Sequence, residues 1–239
     1  MVAGPAPTRR SSRARIAVRV FEAASGRACA ARVAVLCSDG TIASPPSALQ
    51  KRGTGRQQFY AVSTFEVDVP SGPTEILIER GTEYRPWRAT VYTRDGDVVS
   101  LDAPLVRWFE RHDSGLMVGN PHVHYDAEED RLLDRLLLDP QVEDLDVLAV
   151  SHVDRRGAPY ASNRLPIGIQ PESTTDHVLD VGEECRHNES EWTAGYGHVI
   201  FIGISAPIGP LSRGTLRTEK APDYPHTSES IPILPRPCT

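Results

Sequence analysis

The chain has 239 residues, room for one large domain or two modest ones, with 39% hydrophobic and 24% charged residues, an ordinary globular balance. A formal net charge of −6 argues against nucleic acid as the main partner, because a polyanion needs a basic face. No apolar run approaches the length of a transmembrane helix, so no membrane association is expected. The first stretch carries Arg9, Arg10, Arg13 and Arg15, without acids, among Pro, Ser and Ala. It lacks the apolar core of a signal peptide, so residues 1–14 read as a disordered tail and the protein as cytoplasmic. Cys29, Cys37, Cys185 and Cys238 show no Cys-x-x-Cys spacing and read as reduced thiols.

Residues 15–105 have period two. Ile16, Val18 and Val20 alternate with Ala17 and Arg19, and Phe65, Val67 and Val69 alternate with Glu66 and Asp68. Such runs are strands with one face on a core. Turn chemistry separates them at Ser38-Asp39-Gly40, Ser71-Gly72-Pro73 and Asp95-Gly96. The last lies between Ala89–Thr93 and Val98–Leu101 and predicts a hairpin. The segment from Ile42 to Arg56, with Pro45, Pro46, Gly53 and Gly55, predicts a surface loop. Together these predict a small all-β sandwich, a packing or binding module.

The character changes after Leu105. Residues 126–138 predict a helix, with Leu132, Leu133, Leu136 and Leu137 on one side and acids in the first turn, where they suit the helix dipole. Asp139-Pro140 is expected to end it. Leu145 to Val150, Val178 to Val181 and Val199 to Ile204 are apolar runs that predict buried strands. Strand, helix, strand, loop, strand implies an α/β layer architecture.

Candidate ligands gather at the edges of these runs. Gly119-Asn120-Pro121-His122-Val123-His124 holds two histidines at i and i+2, which an extended strand presents on one face. Neutral imidazole is a common ligand for zinc and similar ions. His152, Glu183-Glu184 and His198 each lie beside an apolar run. Read singly, each has a plainer role: His152 as a capping or core histidine, Glu183-Glu184 as a solvated turn, His198 as a structural side chain. His112 and His187 match no motif, Trp192 and Tyr196 read as loop packing, and Arg155, Arg156 and Arg164 as either solvated or facing an anionic substrate.

Taken together, the Gly-Asn-Pro-His-Val-His stretch, the strand ending in His152, Gly182-Glu183-Glu184 and Gly197-His198-Val-Ile-Phe-Ile-Gly resemble the PHP metallohydrolases, the polymerase and histidinol phosphatase superfamily. The nearest branch in character is the carbaryl-hydrolase-like one, whose members often carry a carboxypeptidase-regulatory-like β-sandwich in front. The resemblance covers residues 15–225. It implies an N-terminal sandwich over 15–105, then an incomplete α/β domain of the PHP-type distorted barrel over 106–225, then a Pro-rich tail over 226–239. It also implies divalent metal ions, zinc or manganese, held by His122, His124, His152, Glu184 and His198. An acidic ligand among Asp126, Glu129 and Asp130 is left open. Ser151 stands where the family often has Asp.

The resemblance implies hydrolysis of an ester, amide or phosphoester in a small-molecule substrate. The tail after Pro225 carries no ligand cluster, so a truncated or frame-shifted C-terminus and weak activity are expected. Exposed half-barrel edges would then favour self-association. The alternatives are a non-catalytic binding module with a degenerate metal site, and a small-molecule phosphatase whose loop arginines hold phosphate.

Overall fold

A computed structural model describes residues 13–51, 55–125, 129–152, 164–187 and 197–206. The expected tails over 1–14 (apart from Arg13 and Ala14) and 226–239, and the loop residues Arg155, Arg156, Trp192 and Tyr196, lie outside the described residues. The chain forms two compact units. The first gathers Met1–Asn120, Arg131–Leu148 and Glu172–Val178; the second gathers Pro121–Asp130, Ala149–Pro171 and Leu179–Thr239.

Alternation builds the first unit. Strand β1 (Ala14–Glu22) buries Ala14, Ile16, Val18 and Val20 and exposes Arg15 and Arg19. It lies between β4 (Thr64–Val69), antiparallel, and β7 (Val98–Leu105), parallel. A second sheet has the order β3-β2-β5-β6, from β2 (Ala31–Leu36), β3 (Phe59–Ala61), β5 (Gly72–Glu79) and β6 (Trp87–Thr93). Side chains of both sheets meet in one core, where Phe59 and Phe65 pack edge to face with ring centroids 5.2 Å apart. Such a pair contributes about 0.5–1.5 kcal/mol beyond its buried area.

Asp95-Gly96 does turn the chain, with Gly96 at φ 82°, but it does not make the expected hairpin. Strand β6 pairs with β5, and β7 pairs with β1 in the other sheet. The turn is a corner between sheets. Turn chemistry specifies the bend, and tertiary pairing decides which strands are joined.

The helix also differs from expectation. Helix α1 spans Leu132–Glu143, not 126–138, and residues 126–128 lie outside the described ones. It continues through Pro140, closing one turn later at Asp144, whose N–H donates to the Pro140 carbonyl. Leu145 N–H donates to the same carbonyl at 2.8 Å. Contacts with the sandwich offset the lost backbone bond. Val142 is buried with Ala30 and Tyr60, the Tyr60 hydroxyl donates to Asp139, and Lys51 Nζ lies 2.7 Å from Glu143. Burial and the Asp139 charge push the Tyr60 hydroxyl pKa far up.

The third sheet overturns the expected α/β barrel. It has the order β10-β11-β9-β8, with β12 also on β11, from β8 (Gly119–Val123), β9 (Val147–His152), β10 (Gly168–Ile169), β11 (Val178–His187) and β12 (Gly197–Phe201). Strands β10 and β12 both pair antiparallel to β11. Among the described residues α1 is the one α-helix. A barrel of the expected kind needs parallel strands alternating with helices, whereas this chain is mostly β with three sheets. The apolar runs misled because a strand buried on both faces reads alike in parallel and antiparallel sheets.

Candidate metal site

His122 lies near the end of β8, and His124 follows it just past the strand. Glu184 lies within β11, and β9 runs between these two strands in the sheet. Three atoms converge there. His124 Nε2 is 2.7 Å from Glu184 Oε2, His122 Nε2 is 3.2 Å from the same oxygen, and the two Nε2 atoms are 2.8 Å apart. The rings meet edge-on, 4.7 Å between centroids at 79°. The Glu184 side chain is 0% exposed, His124 17% and His122 39%, so the site is floored by a buried carboxylate and opens on the His122 side.

Physical chemistry limits what such a triangle does. Two imidazole nitrogens this close repel through their lone pairs unless a proton or a cation lies between them. A buried carboxylate is costly without a partner of opposite charge or a donor. The donor set of two imidazoles and a carboxylate is that of open zinc sites. Tetrahedral zinc places its ligand atoms about 3.3 Å apart, given metal–nitrogen bonds of about 2.0–2.1 Å. The observed spacings of 2.7, 2.8 and 3.2 Å need to open by about 0.1–0.6 Å to reach that value. The group can therefore hold a metal ion: its ligand atoms all lie within 4.8 Å of one another.

Of the five expected ligands, the structure gathers these three. His152 ends β9, 4% exposed, outside that group. Burial lowers its pKa, against a hydrogen bond to the Leu165 backbone, and among the described residues its Nε2 has no hydrogen-bond partner. His198 lies on β12 opposite Arg186, and its side chain is outside the described residues. Among the acids left open, Glu129 is buried, Asp130 is exposed and Asp126 lies outside the described residues. Arg164 is exposed, its backbone N–H donating to the Tyr125 hydroxyl at 2.9 Å and its guanidinium to the Glu129 carbonyl at 3.4 Å. Cys29 and Cys37 are free and buried.

Gly182 shapes the approach to Glu184. A Cβ there would lie 1.9 Å from the Phe201 carbonyl oxygen, so only glycine lets this backbone come so close. Asp180, two residues earlier, accepts the Gly203 N–H at 2.6 Å. These contacts hold the segment after β12 against β11.

An ionic network in the first unit has no signature in the sequence. Asp144 accepts Arg80 at 2.6 Å, Arg107 at 3.0 Å and Arg111 at 2.8 Å. Burial alone would raise the Asp144 pKa, but the three guanidiniums hold it below the usual carboxylate range. Tyr84 joins the network through Glu22 and Arg107, and burial with the Glu22 contact pushes its pKa up to about 12. A cavity of about 520 Å³ is lined by this network and by His112, Asp146 and His177. It is a feature of the first unit and contains none of the triad.

No helix among the described residues is long and apolar enough to cross a membrane. No protein-family model and no curated protein matches the chain. The fold and site define a mostly β protein with a histidine–carboxylate group fit for a metal ion.

Proposed function

We propose that the chain is a metal-dependent hydrolase acting on a small-molecule ester, amide or phosphoester, with zinc or manganese held by His122, His124 and Glu184. The observation that carries this is the convergence of three ligand atoms within 4.8 Å. Two imidazoles and one carboxylate leave coordination positions open, as in catalytic rather than structural zinc sites. The order of motifs shared with PHP metallohydrolases supports the same chemistry, without the barrel.

When bound, the ion supplies a Lewis acid that lowers the pKa of water and offsets charge developing on the attacked oxygen. The chain's own residues set the geometry. Glu184, fully buried, faces both imidazoles with one oxygen and fixes their rings. His122, the most exposed of the three, forms the side from which a small substrate reaches the site.

The test is a panel of ester, amide and phosphoester substrates with added zinc or manganese. Turnover that needs the metal and disappears in His122→Ala is the expected result. Metal binding without turnover across the panel would identify the non-catalytic binding module instead.

A further inference from the structure

We propose that Asp146 is a positioning residue for the metal site: it ties together the starts of the strands that carry the ligands. The inference rests on the metal reading of His122, His124 and Glu184. The tie is made by three groups of one residue. Asp146 N–H donates to the Val118 carbonyl at 2.8 Å, and its carboxylate accepts the Val118 N–H at 2.7 Å. Its carbonyl accepts the Val178 N–H at 2.8 Å. Val118 immediately precedes β8, Asp146 precedes β9, and Val178 begins β11. One residue therefore sets where three neighbouring strands begin relative to one another.

The side chain is itself held. Arg111 donates to it with Nε at 3.2 Å and Nη2 at 2.9 Å, and His112 Nε2 lies 3.2 Å from Oδ1. Arg111 also pairs with Asp144 at 2.8 Å, and its side chain is 3% exposed. A two-pronged guanidinium–carboxylate contact fixes orientation as well as distance. Next to this anchor, His177 lies 2.7 Å from the Leu145 carbonyl through Nδ1, a second link between the residues preceding β9 and those preceding β11.

The consequence runs along the strands. His122 lies four residues beyond Val118 on β8, and Glu184 lies six beyond Val178 on β11. Register is shared along paired strands, and a slip of one residue moves every side chain to the other face. Loosening the start of β8 against β9 and β11 therefore lets the two imidazoles drift from the carboxylate. Residues that orient metal ligands without touching the ion change affinity by roughly 10–100-fold when removed.

The experiment compares wild type, Asp146→Leu, Asp146→Asn and Val18→Ala in the full chain. Zn²⁺ affinity is measured against a competing chelator, and the bound Co²⁺ absorption spectrum is recorded. Asp146→Leu loses the acceptor for Val118 and the charge facing Arg111, and is expected to weaken Zn²⁺ about tenfold or more and alter the Co²⁺ spectrum. Asp146→Asn retains an acceptor for Val118 and is expected to recover much of the loss. Val18→Ala destabilises the sandwich core and is expected to change neither readout.

Histidine ring resonances of the metal-free proteins separate the two ideas. If wild type binds no Zn²⁺, the metal reading fails, yet the His122 and His124 signals still move in Asp146→Leu alone when Asp146 positions them. Unchanged ring signals, affinity and spectrum in Asp146→Leu, or equal changes in Val18→Ala, overturn the proposal.

Discussion

Glu184 Oε2 and His124 Nε2 lie 2.7 Å apart, with the glutamate side chain wholly removed from solvent. A carboxylate so placed is stabilised by the donors or cation that face it, and breaking such a buried pair is costly. Glu184→Gln keeps the shape but loses the charge, and an amide is a poorer metal ligand than a carboxylate. It is expected to weaken Zn²⁺ binding at least tenfold while leaving the far-UV circular dichroism spectrum unchanged. Isothermal titration of both proteins checks this, and equal affinities would remove Glu184 from the site.

Gly182→Ala places a Cβ against the Phe201 carbonyl at a separation of 1.9 Å, which no side-chain rotation relieves. The β11–β12 pairing, including Glu184 opposite Ile200, has to shift. A loss of roughly 1–3 kcal/mol is expected, the usual cost of overpacking, together with weaker metal binding. Thermal denaturation of both forms, followed by Zn²⁺ titration, measures the two effects.

Acid should unfold the first unit partly through Asp144. Its folded pKa is depressed because Arg80, Arg107 and Arg111 outweigh the effect of burial. A depressed carboxylate contributes stability that is fully present above its unfolded pKa, about 3.9, and is lost as pH falls through the folded value. Urea midpoints between pH 7 and pH 2 are therefore expected to fall on the acid side. In Asp144→Asn that acid-side fall should be shallower, starting from a lower midpoint at pH 7. An identical pH slope would show that Asp144 is not part of the linkage.

The helix is fastened to the sandwich by a polar contact as well as by Val142. Tyr60→Phe removes the hydroxyl that donates to buried Asp139, leaving one of its hydrogen bonds unmade. The expected cost is about 1–3 kcal/mol. Equilibrium unfolding of Tyr60→Phe and wild type measures it, and a change within a few tenths of a kcal/mol would mean that Asp139 finds another donor.

Where one face of a strand is buried and the other wet, the sequence is a reliable guide: Ile16, Val18, Val20, Phe65, Val67 and Val69 all lie in the core as their alternation predicts. The parallel union of β1 with β7 leaves no such trace, because pairing partners are chosen by the whole fold. The acids before Leu132 resemble a first helical turn, which places the expected helix start six residues before the observed one. The His-x-His spacing brought His122 and His124 to notice, but nothing local distinguishes Glu184 from Glu183; both are fully buried on β11. Asp146 was hidden inside the run Leu145–Val150, where an acid among apolar neighbours was the available signal. Its partners Arg111, Val118 and Val178 lie 28 to 35 residues away, and only the folded chain shows what it does.

Metal content decides the central claim most directly. Wild type and the His122→Ala, His124→Ala double variant are loaded with Zn²⁺, dialysed together and submitted to elemental analysis. Removing two imidazoles that lie 2.8 Å apart and share one carboxylate oxygen takes away two of the three ligands. Wild type is expected to retain bound zinc and the double variant to lose most of it. Equal zinc in the two proteins, or none in either, would contradict the assignment of His122, His124 and Glu184 as a metal site.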